Sequence, residues 1–162
     1  SQKDGLDPGG QNGGRKRDRR PERCLYSQVR LTNLGTNVQR ILREAKNLPI
    51  DDNYAIACVL ARAIVELAVS EERVLNWSGA KEHSPLATKI KTAILKLDPD
   101  IESPRRRKRV DLVQAQQEAD GLGVAYMHQF MHNPAVKTDP HLARRFSHAF
   151  TPLLVSINHA VK

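Results

Sequence analysis

The chain has 162 residues, 40% of them hydrophobic but only 4% aromatic, with a net charge of +8. This length supports one domain with one core, and a core so poor in aromatics is built from Leu, Ile, Val and Ala, which favours packed helices over a β-sandwich. No apolar run approaches the roughly 18 residues that span a bilayer; the longest, Tyr54 to Val69, is interrupted by Arg62 and Glu66.

The first residues are polar and lack the apolar stretch of a secretory signal, so none is expected. Cys24 and Cys58 do not make a disulfide framework, so a reducing, cytoplasmic compartment is expected. Cys58 sits in an apolar stretch and reads as a small core residue.

Residues 1–23 are rich in Gly, Asp, Arg and Pro and carry a single large apolar residue, Leu6. Such a segment cannot offset the cost of ordering by building a core, and disorder is expected. The domain boundary is set at residue 28, with a basic arm or linker over 1–28 and a helical domain over 29–162. The Gly-Gly-Gln-Asn-Gly-Gly stretch is not a phosphate-binding loop, because no strand precedes it and no Gly-Lys-Ser/Thr follows. Linker composition and the missing initiator Met mark the chain as an expected C-terminal part of a longer protein.

Val38, Ile41, Leu42 and Ala45 recur at helical spacing, with Asn33 or Thr36 as candidate caps and Leu48-Pro49 as the stop. Asp51 or Asp52 is expected to cap a second helix running to about Leu75. Its apolar positions Ile56, Val59, Leu60, Ala63, Ile64, Leu67 and Ala68 cover a face wide enough for the middle of a bundle. Trp77-Ser78-Gly79 closes it. Ser84-Pro85 starts a third helix, which Asp98-Pro99 ends. A fourth is expected from about Lys108 to His132, weakened at Gly121 and Gly123 by about 1 kcal/mol each relative to Ala. Asp139 caps the last, with Pro140 in its first turn and Leu142, Phe146, Ala149, Phe150, Leu153, Leu154 and Ile157 along one stripe. The expected fold is therefore all-α, a five-helix antiparallel bundle.

The excess positive charge is localised. Residues 1–30 hold eight basic side chains against four acidic, residues 101–109 hold five against one, and the remainder balances at thirteen of each. Two basic segments, Arg15–Arg20 in the arm and Arg105–Arg109 before the fourth helix, have the footprint of a polyanion partner. The candidate contacts are Arg105, Arg106, Arg107, Lys108, Arg109, Arg15, Lys16 and Arg17. Positive charge is unfavourable at a helix N-terminus, so the second run is not there to stabilise its helix. Neither run is interleaved with aromatics, which argues for phosphate contact without base stacking or sequence reading. The plainer reading is a solubilising tail and a solvated loop. A helix-turn-helix reader is disfavoured, since the helices after turns 47–52 and 78–84 lack a cluster of base-reading side chains.

His128 and His132 lie four apart and share a helix face. Two His at this spacing can chelate zinc from a helix, but the Glu of an H-E-x-x-H motif is absent, and no metal or cofactor is expected. A second reading is structural, with His132 and Asn133 expected to cap the end of a helix before Pro134. The stretch Tyr126-Met127-His128-Gln129-Phe130-Met131-His132-Asn133-Pro134, with Arg62-Ala63-Ile64-Val65-Glu66-Leu67 upstream, resembles the prokaryotic HEPN superfamily of helical bundles. More narrowly it resembles HEPN-like tails of larger bacterial nuclease, ATPase or phage-defence proteins.

The resemblance implies a homodimer, attached to other domains of the same polypeptide. Catalytic HEPN members cut RNA with an Arg four to six residues before the motif His, in a cleft between protomers. Here Met127 stands where a four-residue spacer would require Arg, and the nearest upstream Arg is Arg109. A His alone can act as a general base near neutrality, but the electrostatic half of the mechanism has no donor. The expectation is a non-catalytic dimerisation and nucleic-acid-backbone-binding domain. Two alternatives stand beside it: a metal-independent ribonuclease with an altered site using His132 and His128, and a protein-interaction module whose arginines meet an acidic partner.

Arg62 and Glu66, four apart in an apolar helix, are expected to form an ion pair. They either lie on the solvent stripe, or meet the His132 region or a dimer interface.

Overall fold

A computed structural model of the chain describes residues 21–122 and 140–162. These residues form α1 (Thr36–Lys46), α2 (Tyr54–Ser70), α3 (Glu72–Ser78), α4 (Leu86–Leu97), a 3-10 turn (Val110–Leu112), α5 (Val113–Leu122) and α6 (Pro140–Ala160), with no strand. The all-α expectation holds. The count does not, since six α-helices occur among the described residues where five were expected. No helix among them is long and apolar enough to cross a membrane.

The extra helix arises at Glu71, where the sequence pattern predicted a continuous helix to Leu75. Glu71 is extended (φ −63°, ψ 139°) and separates α2 from α3. Tertiary contacts hold the break from both sides. The Lys89 ammonium donates to Ser70 Oγ at 2.9 Å, and Glu71 Oε2 accepts the N–H of Gly35 at 2.7 Å. Gly35 is the N-cap of α1, so Glu71 places a carboxylate where the helix dipole favours one. Neither Asn33 nor Thr36 caps α1, as the sequence suggested. Nor do Asp51 and Asp52 cap α2, whose N-cap is Asn53; the Asp51 carboxylate is taken instead by Arg144 at 2.8 Å. Ser84 does not cap α4 either, because the N-cap there is Pro85. Gly79 closes α3 in the left-handed region (φ 83°), its N–H reaching Leu75 O at 2.9 Å.

α2 sits centrally, packed on α1, α3, α4 and α6. It buries Ala57, Cys58, Ala61, Ile64, Val65, Ala68 and Val69. The wide apolar face inferred from the sequence is only half covered: Ile56 is 54% exposed, and Val59 and Leu67 are both 37% exposed. α6 buries the whole stripe from Leu142 to Ile157 that its periodicity predicted.

The N-terminal segment is more ordered than the boundary at residue 28 implied. Leu25 and Tyr26 are fully buried, and the chain from Glu22 to Asn33 runs alongside α6. Arg144 Nε donates to Glu22 O at 3.1 Å, Tyr26 N–H to Ser147 Oγ at 2.8 Å, and Asn33 N–H to Asn158 Oδ1 at 2.8 Å. Tyr26 adopts φ 48°, an outlier for a bulky residue. Its hydroxyl donates to Ala61 O at 2.8 Å, which fixes it against α2. Burial pushes the Tyr26 phenol far above its ordinary range, so it stays a neutral donor.

Candidate nucleic-acid interface

The basic run Arg105–Arg109 lies in a loop that a single buried carboxylate organises. α4 ends at Asp98, whose N–H still reaches Ile94 O at 2.9 Å. Pro99 has no N–H to continue the helix. The Asp98 side chain, only 3% exposed, turns back into the loop. Its Oδ1 accepts the N–H of Asp100 at 3.1 Å, and its Oδ2 accepts those of Lys108 at 2.7 Å and Arg109 at 2.8 Å. The carboxyl is held below its ordinary value chiefly by the Arg109 N–H. The N–H groups of Lys108 and Asp100 and the Lys108 charge act in the same direction, while burial opposes them.

Between these ends the chain makes tight turns. Ile101 N–H reaches Asp98 O at 3.1 Å, Ser103 N–H reaches Asp100 O at 2.9 Å, and Ser103 O accepts from Arg106 at 3.1 Å and Arg107 at 2.9 Å. Ile101, fully buried, pins the loop to the core.

The five cations of this loop divide into two kinds. Arg109 is committed to the fold: its guanidinium grips Asp111 through two bonds of 3.0 Å and donates to Ser156 Oγ on α6 at 2.7 Å. The Asp111 pair raises the Arg109 pKa and lowers that of Asp111. Asp111 stands in the first turn leading into α5, so it also offsets the adverse positive charge at that end. Arg105, Arg106 and Lys108 are exposed, and Arg107 is half-buried. Arg106 approaches Asp100 at 3.8 Å, with its own side chain 74% exposed; such a pair is worth little and yields readily to a stronger anion. Among the described residues, Arg105, Arg107 and Lys108 make no ion pair.

Arg62 and Glu66 form the expected intrahelical pair at 3.6 Å, with side chains 24% and 50% exposed. Arg62 Nε is itself buried and has no hydrogen-bond partner. Among the described residues, no three His, Cys, Asp or Glu side chains converge as metal ligands would. Arg15, Lys16, Arg17, His128, His132 and Asn133 lie outside the described residues, as do the Asp139 cap and the fourth helix beyond Leu122.

Asp98, which holds the candidate loop, is the residue that sequence reasoning missed, since it reads there only as a helix stop. Its sole linear signal is a carboxylate at a helix end ten residues before Lys108. The fold and loop define an all-α domain that presents a carboxylate-fastened cationic loop. No family model, curated protein or solved structure matches the chain.

Proposed function

We propose that the chain is a non-catalytic, HEPN-like helical module that dimerises and binds nucleic-acid backbone without reading base sequence, as part of a larger bacterial protein. The observation that carries this reading is the Asp98 clasp. It fastens both ends of a short loop while Arg105, Arg106 and Lys108 stay exposed and Arg107 half-exposed. A preorganised loop loses little freedom on meeting a phosphate chain. Point charges without stacking aromatics contact phosphates and leave the bases unread. The exposed apolar positions of α2, Ile56, Val59 and Leu67, support the dimer, because a second copy would remove them from water.

Fluorescence anisotropy with short duplexes of unrelated sequence, titrated with salt, tests the proposal. Three or four phosphate contacts give a log–log salt slope of about −3 for duplex DNA, equal for all sequences. Affinity that is absent at low salt, or that depends on one base sequence, overturns it.

A further inference from the structure

A second cationic feature lies away from the loop, in a surface groove of about 230 Å³ between residues 29–32 and α1. Arg30 and Thr32 line one wall, and Gln39, Leu42, Arg43 and Lys46 the other. Among the described residues no Asp or Glu lines it. Glu44, the acidic residue on this part of α1, is outside the lining.

Local helix energetics explain two of the three cations. Arg43 and Lys46 occupy the last turn of α1, where positive charge offsets the helix dipole. They do not explain Arg30, which arrives from a separate segment and faces Lys46 as a like charge. The Lys46 ammonium donates to Val29 O. Its pKa is lowered by burial first and by Arg30 second. The fold thus gathers three cations at some cost, and neither Arg30 nor Arg43 has an ion-pair partner among the described residues. A bound anion would turn that mutual repulsion into attraction.

The segment that forms one wall of the groove leads to the end of α6 that the basic loop also touches. Asn33, next to Thr32, is hydrogen-bonded to Asn158 of α6, and Arg109 is bonded to Ser156 of α6. The C-terminal end of α6 therefore contacts both the residue next to the groove and the basic loop.

We propose that the groove formed by Arg30, Arg43 and Lys46 is a phosphodiester-binding site, a second contact for the same nucleic-acid chain that the loop engages. This inference rests on the nucleic-acid reading above. It adds a second place on the molecule for the strand, between residues 29–32 and α1.

The test compares three forms of the 162-residue chain by anisotropy with one labelled duplex across a salt series: the wild type, a groove variant (Arg30→Gln with Arg43→Gln) and a loop variant (Arg105→Gln with Arg107→Gln). Lys46 is left intact because its bond to Val29 O is structural. Unchanged thermal melting checks that each variant folds. Each lost phosphate contact reduces the salt slope by about one, so the groove variant should bind about tenfold more weakly or worse at moderate salt, with a shallower slope, and Arg43→Lys should retain binding. A groove variant that binds like wild type while the loop variant is weakened overturns this inference and leaves the proposed function standing. A wild type that does not bind the duplex even at low salt removes the proposed function and this inference with it. In a parallel titration with inorganic phosphate followed by NMR, amide shifts at Thr32 and Gln39 are expected in wild type and not in the groove variant. Their absence in wild type also overturns the inference.

Discussion

Asp98 Oδ2 accepts the backbone N–H of Arg109 at 2.8 Å, closing a loop across eleven residues of chain. One carboxylate oxygen takes two successive N–H groups, from Lys108 and Arg109, and so sets the direction in which the chain leaves the basic run. Asp98→Ala should free the loop, lower the melting midpoint by about 5 °C or more, and speed hydrogen exchange at the Lys108 and Arg109 amides. Asp98→Asn should fall between wild type and Ala, since one amide oxygen can still accept. Unchanged exchange in Asp98→Ala would show that the clasp does not hold the loop.

The same clasp sets an acid limit. The folded pKa of Asp98 is below its ordinary value of 3.8, as are those of Asp51 and Asp111. The unfolded chain therefore binds more protons than the folded one in the acid range, and stability rises with pH there. The contribution is complete above the ordinary carboxylate value. It shrinks as pH falls below that value, and is gone once pH has passed through the lowered folded-state value. Melting temperatures measured from neutral to strongly acid pH should be flat and then fall. The fall should be shallower in Asp98→Asn.

Tyr26 ties the N-terminal segment to α2 through its hydroxyl. Tyr26→Phe removes only the bond to Ala61 O and should cost about 1 kcal/mol. Tyr26→Ala also empties a fully buried site and should cost about 3–5 kcal/mol. Chemical denaturation of both variants measures the two contributions separately. Equal losses would mean that the ring does not pack as the structure places it.

Within the basic run, stability and binding should separate by residue. Arg109→Gln breaks bonds to Asp111 and Ser156 and should cost about 1–2 kcal/mol. Arg105→Gln should leave melting unchanged and weaken nucleic-acid binding. If Arg109→Gln melted like wild type, its links to Asp111 and α6 would carry no stability.

The uncovered face of α2 gives a test of assembly. Ile56→Glu and Leu67→Glu alter exposed positions and should leave monomer stability within about 0.5 kcal/mol. Light scattering after size-exclusion chromatography should show a dimer in wild type and a monomer in the double variant. A wild type that is monomeric at high concentration removes the dimer from the proposal.

What the sequence determined by itself is local. Apolar residues at helical spacing, Pro49, Pro85 and Pro99 at helix boundaries and the continuous stripe of α6 locate the helices, because each depends on neighbours within a turn or two. The basic run at 105–109 is legible for the same reason, being contiguous. Only the tertiary structure decided the rest. The break at Glu71 depends on Gly35, far away in the chain, and Leu25 and Tyr26 join the core because α2 and α6 provide the surfaces they fill. Asp98 becomes a clasp only when Lys108 and Arg109 return to it, and the Arg109 side chain is tied to α6 only when Ser156 reaches it. The groove is the clearest case: along the chain Arg30 falls within the basic first thirty residues, while Arg43 and Lys46 belong to a stretch whose charges balance by number. Charge counted along a chain cancels by arithmetic. Charge on a folded surface cancels only where opposite groups touch, and folding brings these three together with no carboxylate among them.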